Sequence, residues 1–294
     1  MASSSSRVPV SHRQLFVEGA ETHVVEAGHP NGEHTLLLLH GWPEDWSEFE
    51  ALIALSSPEV HVVAMDLPGI GGSKTALPSG EKRLVARHVL GVIDELALRN
   101  VTVVGHDAGG MIAYACLREY PERLSSVVIL STVIPGVAPW NDVLRNPYIW
   151  HFAFHSVPSL PEHLVAGKQK EYFDFFYRAI AAHPERITED ARRRYVDAYS
   201  SPSALKAGFD WYRAFEADAN ANAGRRESVR TPLLYVRGAR EMGKMEDYAE
   251  GLRDAGIVEL TTAVVPDSGH FIPEEQPAEL WRQLRSFVNS HGHG

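Results

Sequence analysis

Cysteine is almost absent. Cys116 is the only one in 294 residues, so no internal disulfide can form and a cytoplasmic location is the expectation. Cys116 shares a helical face with Ile112 and Ala115 and has no basic or polar setting that favours a thiolate, so it reads as core packing. Long apolar runs are missing too. Runs of Leu, Ile and Val such as 36–39 reach only four residues, against the roughly 20 residues a membrane-crossing helix needs. Positive charge is in deficit: 28 Lys and Arg against 38 Asp and Glu leave a net charge of −10. That balance argues against nucleic acid and anionic membranes as partners. The opening MASSSSRVPV lacks the apolar centre of a signal peptide and reads as a short disordered lead. The closing HGHG reads as a solvated tail, with His291 and His293 a weak metal pair at most.

What is present is ordinary for a soluble globular protein: 44% hydrophobic and 22% charged residues. Short β-rich runs alternate with helical patterns, and no repeat stands out. Strands are expected at 15–17, 23–26, 35–39, 60–65, 101–104, 127–130, 233–236 and 260–265. Runs such as LLLL and VTVV are apolar on both faces, as buried parallel strands are. Between them, Leu84, Val85, Val89, Val92, Ile93 and Leu96 line one helical face, as do Leu280, Leu284 and Phe287. The fold class is therefore α/β, a mostly parallel sheet flanked by helices. The alternation breaks from about Pro135 to Ala223, a stretch rich in aromatics and helix formers with no convincing strand. It reads as an inserted helical cap (135–223) over a core built from 1–134 and 224–294. Caps of this kind close a pocket and exclude water.

Three stretches carry chemistry. In VTVVGHDAGG (101–110), Gly105 and Gly109 flank Asp107 two residues away on either side, as a strained strand-to-helix turn requires. As a plain turn with a capping Asp it would carry none. HGWPEDW (40–46) follows the apolar strand TLLLL directly, and its Trp42–Pro43 bond is a candidate cis peptide. PDSGHFIPEE (266–275) places His270 just after a late strand and a Gly-containing loop. PGIGGSK (68–74) matches no phosphate-binding pattern and reads as a loop after a strand.

Together these stretches resemble the α/β-hydrolases, whose nucleophile, acid and His follow one another in this chain order. The resemblance makes Asp107 the nucleophile at the elbow and His270 the general base. It makes the backbone amides of Trp42 and Ala108 the oxyanion hole. Glu241, in VRGARE 29 residues before His270, is the acid that orients the base; Glu246 and Asp247 are close alternatives. Some relatives carry that acid after the strand following the elbow helix, but Ile129-Leu130-Ser131-Thr132 holds no carboxylate.

An aspartate at the elbow selects the chemistry. Serine attacking saturated carbon would leave an ether that water does not readily cleave. Aspartate leaves an alkyl ester, and a His-activated water can attack its carboxyl carbon. Asp107 therefore implies displacement at an alkyl carbon, then hydrolysis, with an epoxide oxygen or a halide as leaving group. HGWPEDW and GHDAGG resemble the epoxide hydrolase forms within the epoxide hydrolase and dehalogenase branch, over nearly the whole chain. In that family two cap groups support the leaving alkoxide. Tyr212, in FDWYR, resembles the second cap tyrosine. His151, in WHF, resembles the histidine of a His/Tyr subgroup, with the Trp150 indole a weaker candidate.

Haloalkane dehalogenases carry Trp after the nucleophile and Asn after the HG pair, where this chain has Ala108 and Trp42. Fluoroacetate dehalogenases anchor the substrate carboxylate with two arginines, where this chain has Ala108 and Met111. The resemblance thus implies a cofactor-independent, metal-free epoxide hydrolase acting on a neutral, apolar small molecule with water as co-substrate. Trp150, Phe152, Phe154, Trp211, His40 and Pro43 would line its pocket. A dehalogenase with the same nucleophile and base is the alternative, and a non-catalytic binding protein on this fold is a third class. A homodimer is left open.

Overall fold

The computed structural model describes residues 9–30, 32, 34–56 and 60–291. Eight strands form one sheet in the order β1-β2-β4-β3-β5-β6-β7-β8. They are β1 Val10–Val17, β2 Ala20–Ala27, β3 Thr35–Leu39, β4 His61–Met65, β5 Val101–His106, β6 Ser126–Leu130, β7 Leu233–Gly238 and β8 Leu260–Val265. β1 and β2 run antiparallel, as do β2 and β4; every other pairing is parallel. Each expected strand is found. β1 is longer than expected and takes in Val10, the last residue of the supposed lead; residues 1–8 lie outside the described residues. His291 ends the last helix with its Nδ1 against the Phe287 carbonyl at 2.9 Å, so it is not part of a free tail. His293 lies outside the described residues.

Helices α1 (Glu50–Leu55), α2 (Lys82–Glu95), α3 (Ala108–Glu119), α11 (Met245–Asp254), α12 (Ile272–Glu275) and α13 (Pro277–His291) accompany the sheet. Between β6 and β7 the chain is helical throughout: α4 (Trp140–Arg145), α5 (Trp150–Ser156), α6 (Leu160–Val165), α7 (Gln169–Ile180), α8 (Glu189–Ala198), α9 (Pro202–Arg213) and α10 (Phe215–Asn222). Strands β3 to β6 are fully buried, which matches their unbroken apolar runs. Two apolar clusters lie on the two faces of the sheet, and the larger continues into the inserted helices through Trp42, Phe173, Phe209 and Tyr212. Cys116 is wholly buried in that cluster, and burial pushes its thiol up, away from reactivity.

Strand order locates the site. β3 pairs with β4 on one side and β5 on the other. The order therefore reverses at β3/β5, and open α/β sheets bind ligands beyond the carboxyl ends of strands at such a point. Leu39 is opposite Gly105 in that pairing, so the loop beginning at His40 and the turn at Asp107 emerge side by side.

Candidate active site

The turn at Asp107 is strained. Asp107 has φ 47° and ψ −115°, a backbone that L residues rarely adopt and that concentrates at functional sites. Close approach imposes the flanking glycines. A Cβ on Gly105 would meet the Gly109 carbonyl at 2.1 Å, and one on Gly109 would meet the Leu39 carbonyl at 2.1 Å. The turn thus lifts the Asp107 side chain above the sheet at the start of α3. The Trp42 amide donates to Asp107 Oδ1 at 3.1 Å, and the Trp42–Pro43 peptide is cis. Ala108 opens α3 beside it; among the described residues no bond from its amide to the carboxylate is made.

His270 brings Nε2 to 3.6 Å from Asp107 Oδ2, each side chain retaining 17% exposure. Burial opposes ionisation of Asp107, but the His270 imidazole, His106 and the Trp42 amide outweigh it and hold the carboxyl down at about 2. The Asp107 carboxyl is therefore anionic at neutral pH, with Oδ1 on the Trp42 amide and Oδ2 toward His270.

Beneath this pair lies a polar layer that pattern reading missed. His106 is fully buried between Glu48, at 2.8 Å from Nδ1, and the His270 carbonyl, at 2.9 Å from Nε2. Burial opposes its charge, yet Glu48 raises it to about 9. Glu48 also accepts from the Gly41 amide, so it joins the oxyanion loop to the base loop. Glu44 is wholly buried with neither carboxylate oxygen hydrogen-bonded; burial, then Glu48 and Glu274, push it well above the usual range. Burial and Glu48 push Glu274 up to about 8 although Tyr195 donates to it at 2.9 Å. Glu44, Glu48 and His106 bring ligand atoms within 4.8 Å of one another, the densest such set among the described residues, but both His106 nitrogens are already engaged. Adjacent acids in HGWPEDWSEFE were the only sequence signal for this layer.

This layer has a pH signature. His106 gains its proton more readily when folded, so its contribution is complete below pH 6.5 and is lost as pH rises through about 9. Glu274 prefers its neutral form, so stability falls further between pH 4.5 and about 8. Asp107 works the other way, its contribution present above pH 3.8 and lost toward pH 2. The melting temperature is expected to fall by about 5 °C or more from pH 6 to pH 9.5, and Glu48→Gln should flatten the part above pH 7. Calorimetry at constant ionic strength checks this; a melting temperature that is level or rising over that range contradicts it.

Glu241 is placed differently from the expectation. Its Oε1 accepts from the Gly238 amide at 2.9 Å and from the Ser131 hydroxyl, and its Oε2 pairs with Arg237 at 3.0 Å. No bond between Glu241 and His270 is made among the described residues. Glu246 and Asp247 are exposed on α11. The region 68–74 is a loop, as expected, folded around Asp66, which accepts from Gly72 at 2.7 Å.

The inserted helices bring Tyr212 and His151 within reach of the Asp107 charge. Tyr212 on α9 and His151 on α5 have ring centroids 6.0 Å apart. Burial, then the Asp107 charge, push the Tyr212 phenol well above its usual range, so it stays protonated; its hydroxyl has no hydrogen bond among the described residues. His151 Nδ1 is buried without a partner, and burial lowers the imidazole to about 4, leaving it neutral. Phe152 packs on both rings. His155, one turn beyond His151, went unread in sequence; it bonds the Tyr172 hydroxyl at 2.7 Å and sits edge-on to Tyr212 at 4.3 Å. Trp211 is buried against His40. His40 spends both nitrogens on the backbone, at Gly41 and Leu67, and anchors the loop. Trp150 is 42% exposed and stacks on Phe176.

Comparison with known proteins bears on the fold and the family. The chain is 28% identical over 279 residues to a soluble epoxide hydrolase of Corynebacterium sp. (strain C12), covering 91% of this chain and 93% of that one. The crystal structure of Cfl2 from Burkholderia cenocepacia superposes with a TM-score of 0.86 at 34% identity, covering 97% of both chains. The epoxide hydrolase CorEH without ligand superposes with a TM-score of 0.87 at 25% identity, covering 96% of this chain and 99% of that one. A family model described as the alpha/beta hydrolase family matches residues 36–283. With that match over most of its length, an elbow at Asp107 and the eight-stranded sheet beneath it, the chain belongs to the α/β-hydrolase family and is related to epoxide hydrolases.

Proposed function

We propose that this protein is an epoxide hydrolase that works through an alkyl ester on Asp107. The observation that carries the reading is an ionised Asp107 facing His270, with two groups of the inserted helices, Tyr212 and His151, close enough to feel its charge. Oδ2 attacks an oxirane carbon, the C–O bond breaks, and the ring oxygen takes a proton from Tyr212 while His151 N–H supports it. His270 then removes a proton from water, and the hydroxide attacks the carboxyl carbon of Asp107. The Trp42 amide, with that of Ala108, holds the resulting oxyanion. Collapse releases the vicinal diol, which takes its proton from His270, and the proton left on the Asp107 carboxyl returns through solvent to the Tyr212 phenolate. Glu241 enters as the first acid after β7; it would orient His270 only by giving up one of its present partners.

The buried apolar and aromatic surroundings favour a neutral substrate. Chloride or bromide as leaving group is the second reading, favoured by the buried Trp42 indole N–H, which has no partner. A single turnover with enzyme in excess in ¹⁸O-water tests the reading. The diol is expected to leave with ordinary oxygen while Asp107 gains one ¹⁸O. Label appearing in the first-formed diol, with none in Asp107, means direct attack by water and overturns it. Halide release with mono-alcohol from haloalkanes, and no diol from epoxides, supports the second reading.

A further inference from the structure

Glu275 is 2% exposed, yet its carboxylate bonds to no side chain among the described residues. It accepts from four backbone amides instead. Gly269 and Phe271, the neighbours of the base His270, donate at 3.0 Å each. Ala182 and His183, at the end of α7 in the inserted helices, donate at 2.7 and 3.0 Å. One acceptor-only group therefore joins the loop that carries the base to the cap that closes the site. The same two segments meet elsewhere. The His270 amide donates to the Ile180 carbonyl at 3.1 Å, and Arg186 donates to the Glu275 carbonyl at 2.7 Å. A Cβ on Gly269 would lie 2.5 Å from both the Ala182 nitrogen and the Ile180 oxygen, so only glycine permits this approach. At the other end of the linkage, α7 carries Phe176, whose ring is 5.0 Å from His151 and 5.1 Å from Trp42.

We propose that Glu275 is a positioning residue that sets the base loop against the cap, so that His270 meets the ester only when the cap is seated. The inference rests on the reading of His270 as the base. The geometry leaves little slack. His270 Nε2 stands 3.6 Å from Asp107 Oδ2, and displacement of a catalytic group by about 1 Å costs on the order of 100-fold in rate. His106 supports the His270 carbonyl from below, and Asp267, three residues before His270, pairs with His183 and Arg186, but among the described residues only Glu275 accepts from both neighbours of His270 and from the inserted segment. The first step needs only Asp107 and the cap donors, whereas the second needs His270. Loss of the linkage should therefore fall on the second step.

The test is rapid-mixing kinetics on Glu275→Gln and Glu275→Asp, with His270→Gln alongside, separating alkylation of Asp107 from hydrolysis of the ester. In Glu275→Gln the amide keeps one acceptor oxygen for the three donors at Oε2 and sets its NH₂ against the Phe271 amide. Ester hydrolysis is expected to fall about tenfold or more, with alkylation within about threefold, so that ester accumulates on Asp107. Glu275→Asp should recover part of the second step. A merely structural role would lower the active fraction, read from burst amplitude, and leave both rate constants of the remainder unchanged; that result overturns the proposal, as does an equal fall in both steps.

Native-state amide exchange on the unaltered protein is the second measurement, independent of any variant's folding. The amides of Gly269, Phe271, Ala182 and His183 are expected to open together, with protection equal within about threefold. Protection of the two pairs that differs by tenfold or more overturns the linkage. If His270→Gln yields no adduct with any substrate, it is the catalytic reading that has failed, and exchange alone decides whether Glu275 couples loop to cap.

Discussion

Replacing His270 with Gln is expected to turn the protein from a catalyst into a reagent consumed once. Asp107 stays ionised and oriented by the Trp42 amide, so it can still open one molecule of substrate. The ester then waits for a base that is gone. Steady-state turnover should fall by about 10³-fold or more, while intact mass shows a stoichiometric gain located on Asp107. An epoxide adds its whole mass, whereas a haloalkane adds its mass less HX, so one spectrum separates the two leaving groups. Asp107→Ala gives the opposite signature: turnover lost by roughly 10⁴-fold or more, no adduct, and binding retained. The contrast carries the inference. If both variants lack an adduct and both bind ligand as the unaltered protein does, the fold is a binding site and not a catalyst. If Asp107→Ala still turns over, the nucleophile lies elsewhere.

Much of the framework was legible because apolar patterning and turn chemistry act locally. Runs such as TLLLL and SVVIL have no polar face to spare, so they can only be buried strands. The two glycines around Asp107 announce a close backbone approach, which the Leu39 carbonyl confirms. The polar layer beneath the nucleophile was not legible, because a charged residue in sequence reads as solvated. Glu44, Glu48 and Glu275 are buried, and Glu48 and Glu275 find partners far along the chain, in His106 and in Ala182 and His183.

Glu241 shows the converse limit. VRGARE offers two cations as well as an acid, and Arg237 stands four residues before Glu241 across a tight turn. The local pair holds the carboxylate there and not at His270. His40 was read as a pocket residue from its place in HGWP. Tertiary structure commits both its nitrogens to backbone groups, a use that no local pattern announces.

The cap donors yield the second large effect. Removing the hydroxyl in Tyr212→Phe changes no volume to speak of, in a residue packed by Phe152, Phe215 and His155. The phenol is held protonated by burial and by the anionic Asp107 nearby. As Oδ2 attacks, that negative charge passes to the ring oxygen, so the charge that held the proton on the phenol moves to the atom that receives it. His151 is neutral, held at about 4 by burial, and contributes an N–H without competing for the proton. Each single change, Tyr212→Phe or His151→Phe, is therefore expected to slow epoxide opening by about 10- to 100-fold, and the two together by about 10³-fold or more. The loss should appear in alkylation of Asp107, with hydrolysis of preformed ester within about threefold of normal. A halide leaves as a weak base and needs no proton, so any haloalkane turnover should fall far less. Double-mutant kinetics on one epoxide and one haloalkane decide the matter. Equal losses on both substrates would mean that the two rings only shape the pocket, and proton delivery to the alkoxide would have to come from another group.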